Sequence, residues 1–154
     1  MRSIPLRVLF LDFDGVLTKV SDDVQPTLAF EWLPILVSTL EPWSDVCVAV
    51  HSTWRYDHTD AELLDLLGPL GARFIGSVPR GPRGEAIRWF LYSNPSIRSY
   101  LVLDDARDEF SNEFAGSLVV CDSRLGISDV RARAAVVSWL VQSSSEGPEF
   151  RERT

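Results

Sequence analysis

Lysine is almost absent from this chain: Lys19 is the only one in 154 residues. Cysteine is nearly as scarce. Cys47 and Cys121 are too few for a disulfide framework, and neither lies in a Cys-x-x-Cys or Cys/His spacing that would hold zinc. Both fall within apolar runs, which predicts buried, reduced thiols. Long apolar runs are missing too, since none approaches the roughly 18 residues needed to cross a bilayer. Arg2 and Arg7 precede an apolar stretch, but Asp12 interrupts it early and no small-residue cleavage site follows, which speaks against a secretory signal. These absences predict a soluble, cytoplasmic protein without a membrane partner. Positive charge is also short, with 15 Lys+Arg against 22 Asp+Glu, a net charge of −7 and a pI near 4.8. A protein that coats nucleic-acid backbones needs the opposite balance, because non-specific affinity for phosphates comes from Lys and Arg.

What is present is an ordinary globular composition, 45% apolar and 24% charged, in a chain of one domain's length. Residues 6–11 form a nearly continuous apolar run closed by Asp12 and Gly15, the pattern of a strand covered on both faces. Residues 30–40 carry Trp32, Leu33, Leu36, Val37 and Leu40 at helical spacing, with Pro34 tolerable only in the first turn. Further strands are expected at residues 46–50, 73–75, 100–103 and 118–121. Helices are expected around Leu63, Leu64, Leu67 and Leu70, over residues 85–92, and after Ser128 as a cap with Val130, Ala134, Val137 and Leu140 inward. Trp32, Trp43, Trp89 and Trp139 read as core. The order predicts an α/β domain with a Rossmann-like parallel sheet of about five strands between helices over residues 1–142, followed by a polar, flexible tail at 143–154.

Three strands end in side chains able to do chemistry: Asp12 and Asp14 after the first, Ser52 after the second, Asp104 and Asp105 after the fourth. Ligands of open parallel sheets bind outside the carboxyl ends of the strands, so the coincidence marks a site. Carboxylates at i and i+2 suit two jobs on one phosphate. One attacks phosphorus or binds a metal; the other gives and takes the proton of the leaving and attacking oxygens. A second acidic pair, Asp104 and Asp105, with Asp108 at i+4 as a further candidate, would complete an oxygen site for Mg²⁺.

The run Leu9-Phe10-Leu11-Asp12-Phe13-Asp14-Gly15-Val16-Leu17 resembles the first motif of the haloacid-dehalogenase (HAD) superfamily, and later motifs follow in order. Ser52 is similar to the second-motif Ser or Thr, and Leu101-Val102-Leu103-Asp104-Asp105 to the acidic fourth motif. The blocks His51-Ser52-Thr53-Trp54-Arg55 and Arg83-Gly84-Glu85-Ala86-Ile87 resemble the small HAD domain associated with RNA-repair proteins.

The resemblance implies a Mg²⁺-dependent phosphatase that works through an aspartyl-phosphate, with a phosphorylated substrate such as a nucleotide or nucleic-acid end. Asp12 would be nucleophile and metal ligand, Asp14 general acid and base and a metal ligand through its carbonyl. Ser52 would orient the phosphoryl oxygens, with His51 and Thr53 as alternatives for that position. Arg83, or else Arg80, would supply the third-motif cation, since Lys19 lies beside the first motif. Asp104 and Asp105 would share the metal. Thr53, Arg55 and Arg80 are candidate substrate contacts, while His51 is equally well read as a structural neighbour of Trp54. Only 37 residues separate Asp14 from Ser52 and 51 separate Ser52 from Asp104, which leaves room for a flap but not for a large cap domain. A phosphatase of small metabolites and a HAD-like domain that binds without turnover are the rival readings.

Overall fold

The computed structural model describes residues 6–19 and 30–144. Five strands, β1 (Leu6–Leu11), β2 (Val46–Val50), β3 (Phe74–Ser77), β4 (Ile97–Asp104) and β5 (Leu118–Val120), form one sheet in the order β3-β2-β1-β4-β5. All four pairings are parallel, so every chain reversal runs through a crossover segment. The helices are α1 (Leu33–Leu40), α2 (Asp60–Leu66), α3 (Arg83–Ser93) and α4 (Val130–Gln142).

The strands alternate between two cores. Leu9, Leu11, Val48, Val50, Leu101 and Leu103 pack on one face with Leu36 and Leu40 of α1, Leu63 of α2, and Ala132, Val136 and Leu140 of α4. Val8, Phe10, Ala49 and Val102 point the other way, against Ala86 and Ile87 of α3 and against Phe114. Both faces are therefore covered, which is why the central strands read as unbroken apolar runs. After β3 the chain returns across the sheet to β4 on the far side of β1, so β1 and β4 flank the point where the strand order reverses.

Local chemistry sets the element boundaries. Pro34 lies in the first turn of α1, where its missing N–H costs nothing. Thr59 and Glu62 make a reciprocal capping box at the start of α2. For α4 the cap is Asp129, which accepts the Arg131 N–H at 2.9 Å, rather than Ser128; Ser128 ends a preceding turn and donates its hydroxyl to the Leu125 carbonyl. The buried stripe of α4 is Ala132, Val136 and Leu140, spaced four apart, so Leu140 is inward as expected while Val130, Ala134 and Val137 are exposed. Trp89 is likewise outside the core at 62% exposure, because Gly84, Ala86 and Ile87 are the buried residues of α3. Cys121 is buried and Cys47 only half-buried; both are free.

Residues 53–103 are used by α2, β3, α3, most of β4 and their turns, leaving no separate cap there. Of the stretch between Asp14 and Ser52 in which a flap is expected, residues 20–29 lie outside the described residues, as does the tail beyond Ser144. Ser143 itself is tied to the domain by the Arg7 and Arg98 guanidinium groups. No described helix is long and apolar enough to cross a membrane.

Candidate active site

Register brings the site together. Leu11 is level with Val50 on one side and Leu103 on the other, so the next residues, Asp12, His51 and Asp104, form one row along the carboxyl edge of β2, β1 and β4. Backbone hydrogen bonds carry the row onward, with Asp12 N–H donating to Leu103 O at 3.1 Å and His51 N–H to Leu11 O at 3.0 Å. By strand alternation these three side chains project on the face that α3 covers. Arg83, the first residue of α3, meets them there.

Asp12 is 2% exposed and Asp104 fully buried. Arg83 Nη1 lies 3.2 Å from Asp12 Oδ2 and 2.8 Å from both oxygens of Asp104. Asp104 also accepts the Ala106 N–H at 2.7 Å and the His51 imidazole at 2.7 Å, and Asp12 Oδ1 accepts the Phe13 N–H at 2.9 Å. One oxygen from each of Asp12, Asp104 and Asp105 lies within 4.8 Å of the others. Asp108 is exposed and outside this cluster.

The electrostatics differ sharply among the three. Burial, then the charge of Asp104, pushes Asp12 up to about 8, with Arg83 only partly compensating. Burial and Asp104 also raise Asp105. For Asp104 burial acts upward, but the donors from His51, Ala106 and Arg83 outweigh it and hold the carboxyl below its usual range. Arg83 feels burial as a loss and the two carboxylates as a larger gain, so its guanidinium is held charged. Fully ionised, the cluster would carry more negative charge than one arginine neutralises, and its donors are hard oxygens; both properties fit a divalent cation such as Mg²⁺.

Gly15 makes room for the arrangement. Its φ of +79° is a left-handed conformation, and a Cβ there would collide with the Asp105 carboxylate. The turn it closes, with Gly15 N–H donating to Thr18 O at 2.7 Å, leaves Asp14 exposed at the rim. Trp54 Nε1–H donates to Asp14 Oδ2 at 2.9 Å. Phe13 turns the other way, fully buried against Phe30 and Trp54.

The second-motif segment is divided in a way the sequence left open. Ser52 is buried and accepts the Trp54 N–H at 3.2 Å, capping the short turn Thr53–Tyr56. Thr53 is exposed. His51 does not neighbour the Trp54 ring; it points at Asp104, and the ring stacked on Trp54 is His58, 5.4 Å away at 19°. Burial lowers the His51 pKa despite the pull of Asp104. The neutral ring therefore donates from Nε2, leaving a buried Nδ1 without a hydrogen-bond partner among the described residues.

Arg55 and Arg80 are spent elsewhere. Arg55 donates to the carbonyls of His51, Ser52, Pro79 and Gly81 and to the Tyr56 hydroxyl, so its guanidinium holds the two loops together. Arg80 lies over the Tyr56 ring and donates to the Tyr56 carbonyl at 3.2 Å.

With this geometry in place, comparison with known families is decisive. Residues 8–132 match the family model described as the HAD domain in Swiss Army Knife RNA repair proteins. The chain belongs to that family. The five-stranded parallel sheet between helices is the α/β architecture of a small HAD domain. Searches of curated proteins and of solved structures return no match. Membership places the HAD domain in a phosphoester and RNA-repair context, in which a divalent metal and a phosphorylated substrate are general features.

Proposed function

We propose that this HAD domain is a Mg²⁺-dependent phosphomonoesterase that acts through an aspartyl-phosphate on Asp12. The observation that carries the reading is the row of Asp12 and Asp104 bridged by Arg83 at the point of strand-order reversal, with Asp105 beside it.

Asp12 attacks the phosphorus through a carboxylate oxygen, and the bond from phosphorus to the leaving oxygen breaks. Asp14, exposed at the rim, protonates the departing alcohol. It then takes a proton from a water that attacks phosphorus and releases Asp12 and inorganic phosphate. Trp54 Nε1–H fixes Asp14 in place for both transfers. Ser52 orients phosphoryl oxygens, its hydroxyl having no acceptor among the described residues while its oxygen accepts from Trp54. Arg83 balances the charge of Asp12 and of the transferring group.

Asp12, Asp105 and the Asp14 carbonyl would hold the metal, which supplies charge neutralisation at the phosphoryl oxygens. Asp104 serves the site chiefly by anchoring Arg83, because its two oxygens already receive His51, Ala106 and Arg83. Arg55 and Arg80 are better assigned to shaping the loops than to touching substrate.

Hydrolysis of a generic aryl phosphate by the wild type and by Asp12→Asn, with and without Mg²⁺, tests the reading. Turnover confined to the wild type with Mg²⁺ supports it, and equal activity of the two proteins refutes it. The family's setting favours a nucleotide or nucleic-acid end as substrate. The net charge of −7 favours a small metabolite instead.

A further inference from the structure

A cavity of about 310 Å³ opens beside Asp14, lined by Asp14, Thr53, Trp54, Asp57 and His58. In the proposed reaction Asp14 protonates the leaving oxygen, so the alcohol being released extends from that carboxylate into this space. The lining then dictates which alcohols fit. Thr53 and Asp57 are exposed and offer oxygen acceptors to hydroxyl donors. No Lys or Arg is among the described lining residues. The nearby guanidinium groups are engaged elsewhere, Arg55 on backbone carbonyls and Arg80 on Tyr56. The Trp54 ring is stacked on His58 and also contacts Phe30 and Phe13.

We infer that this cavity is the leaving-group subsite and that Asp57 makes it selective for hydroxylated alcohols carrying no second phosphate. The inference rests on the phosphatase reading for its placement of the leaving group. It separates a mononucleotide or polyol phosphate from the end of a polymer, because every terminal nucleotide of a strand bears a linking phosphate on the same sugar. A second phosphate in this cavity of about 310 Å³ would share it with the Asp57 carboxylate, where like charges cost about tenfold in affinity at low salt.

The test compares a nucleoside 5′-phosphate with the corresponding 3′,5′-bisphosphate as substrates of the Mg²⁺-loaded protein. In parallel, the two products, the free nucleoside and its 3′-phosphate, are titrated against the Trp54 indole N–H signal by NMR, which needs no turnover. The wild type should prefer the singly phosphorylated substrate and the uncharged product by about tenfold, Asp57→Asn should shrink both preferences to under threefold, and Asp57→Glu should restore them. Equal binding of the two products by the wild type, or an unchanged preference in Asp57→Asn, overturns the inference. Failure of the phosphatase reading looks different: the aryl phosphate and both nucleotides stay intact whatever the products bind.

Discussion

A single nitrogen of Arg83, Nη1, sits 2.8 Å from both carboxylate oxygens of Asp104 and reaches Asp12 at 3.2 Å. The guanidinium is thereby held between the proposed nucleophile and a carboxylate that the protein keeps ionised. Arg83→Ala should lower kcat/KM on an aryl phosphate by about 10²–10³, the usual loss for a donor aimed at developing charge. Arg83→Lys keeps a charged nitrogen, but on a shorter side chain than the one that places Nη1 between Asp104 and Asp12, and should recover only part of that loss. Retained activity in Arg83→Ala, or full loss confined to Arg80→Ala, would assign the cation elsewhere.

The raised Asp12 has consequences for stability. Between its ordinary value of 3.8 and about 8, the folded metal-free protein keeps a proton on Asp12 that the unfolded chain has lost. Stability must therefore fall as pH rises through that window, and Asp12→Asn should lack this part of the slope. Mg²⁺ has to displace the same proton, so its apparent affinity should rise towards about tenfold per pH unit below pH 8. Melting curves in chelator and Mg²⁺ titrations from pH 5 to 8 check both. A metal affinity insensitive to pH would show that Asp12 does not bind the ion.

Gly15→Ala tests the turn that accommodates Asp105. The left-handed backbone alone costs a side chain about 1–2 kcal/mol, and the added Cβ must also displace the Asp105 carboxylate. The expected result is a lower melting temperature with weaker Mg²⁺ binding. A variant that melts and binds Mg²⁺ like the wild type would mean that Asp105 is dispensable to the site.

Arg7 is the test remote from chemistry. It is fully buried in β1, pairs with Asp45 at 2.7 Å, and donates to the Leu140 carbonyl at 2.6 Å, with its guanidinium over Trp43 and Trp139. It joins β1 to the start of β2 and the end of α4. Arg7→Met should cost about 2 kcal/mol in urea unfolding, through the stranded carbonyl and the lost pair, while kcat per folded molecule stays the same. Unchanged stability would show that these bonds contribute little.

Much of this was legible in the sequence because strands covered on both faces leave a strong signal: the runs at β1, β2 and β4, each ending in a polar residue, located both the sheet and the carboxylate row. Boundaries were less legible where neighbouring residues compete for one role, as Ser128 and Asp129 do for the α4 cap, and the inner face of α4 was misread because its valines outnumber the alanine that packs inward, Ala132. Trp89 was misplaced because α3 packs through small residues, Gly84 and Ala86, instead of its largest ones. The contact of His51 with Asp104 depends on register. Counting outward from Leu11, Val50 and Leu103 places Asp12, His51 and Asp104 level, but the sequence does not state which strands are neighbours. Arg7 was missed for a related reason: a charge inside an apolar strand reads as a boundary until its partner, 38 residues away, is known.

The most direct test of the central claim is to trap the covalent intermediate. Wild-type protein with Mg²⁺ and an aryl phosphate, quenched in acid during turnover and digested, should yield a phosphorylated peptide that contains Asp12, and Asp12→Asn should yield none. Turnover without any phosphorylated peptide, or a phosphoryl group mapped to a residue other than Asp12, would contradict the account.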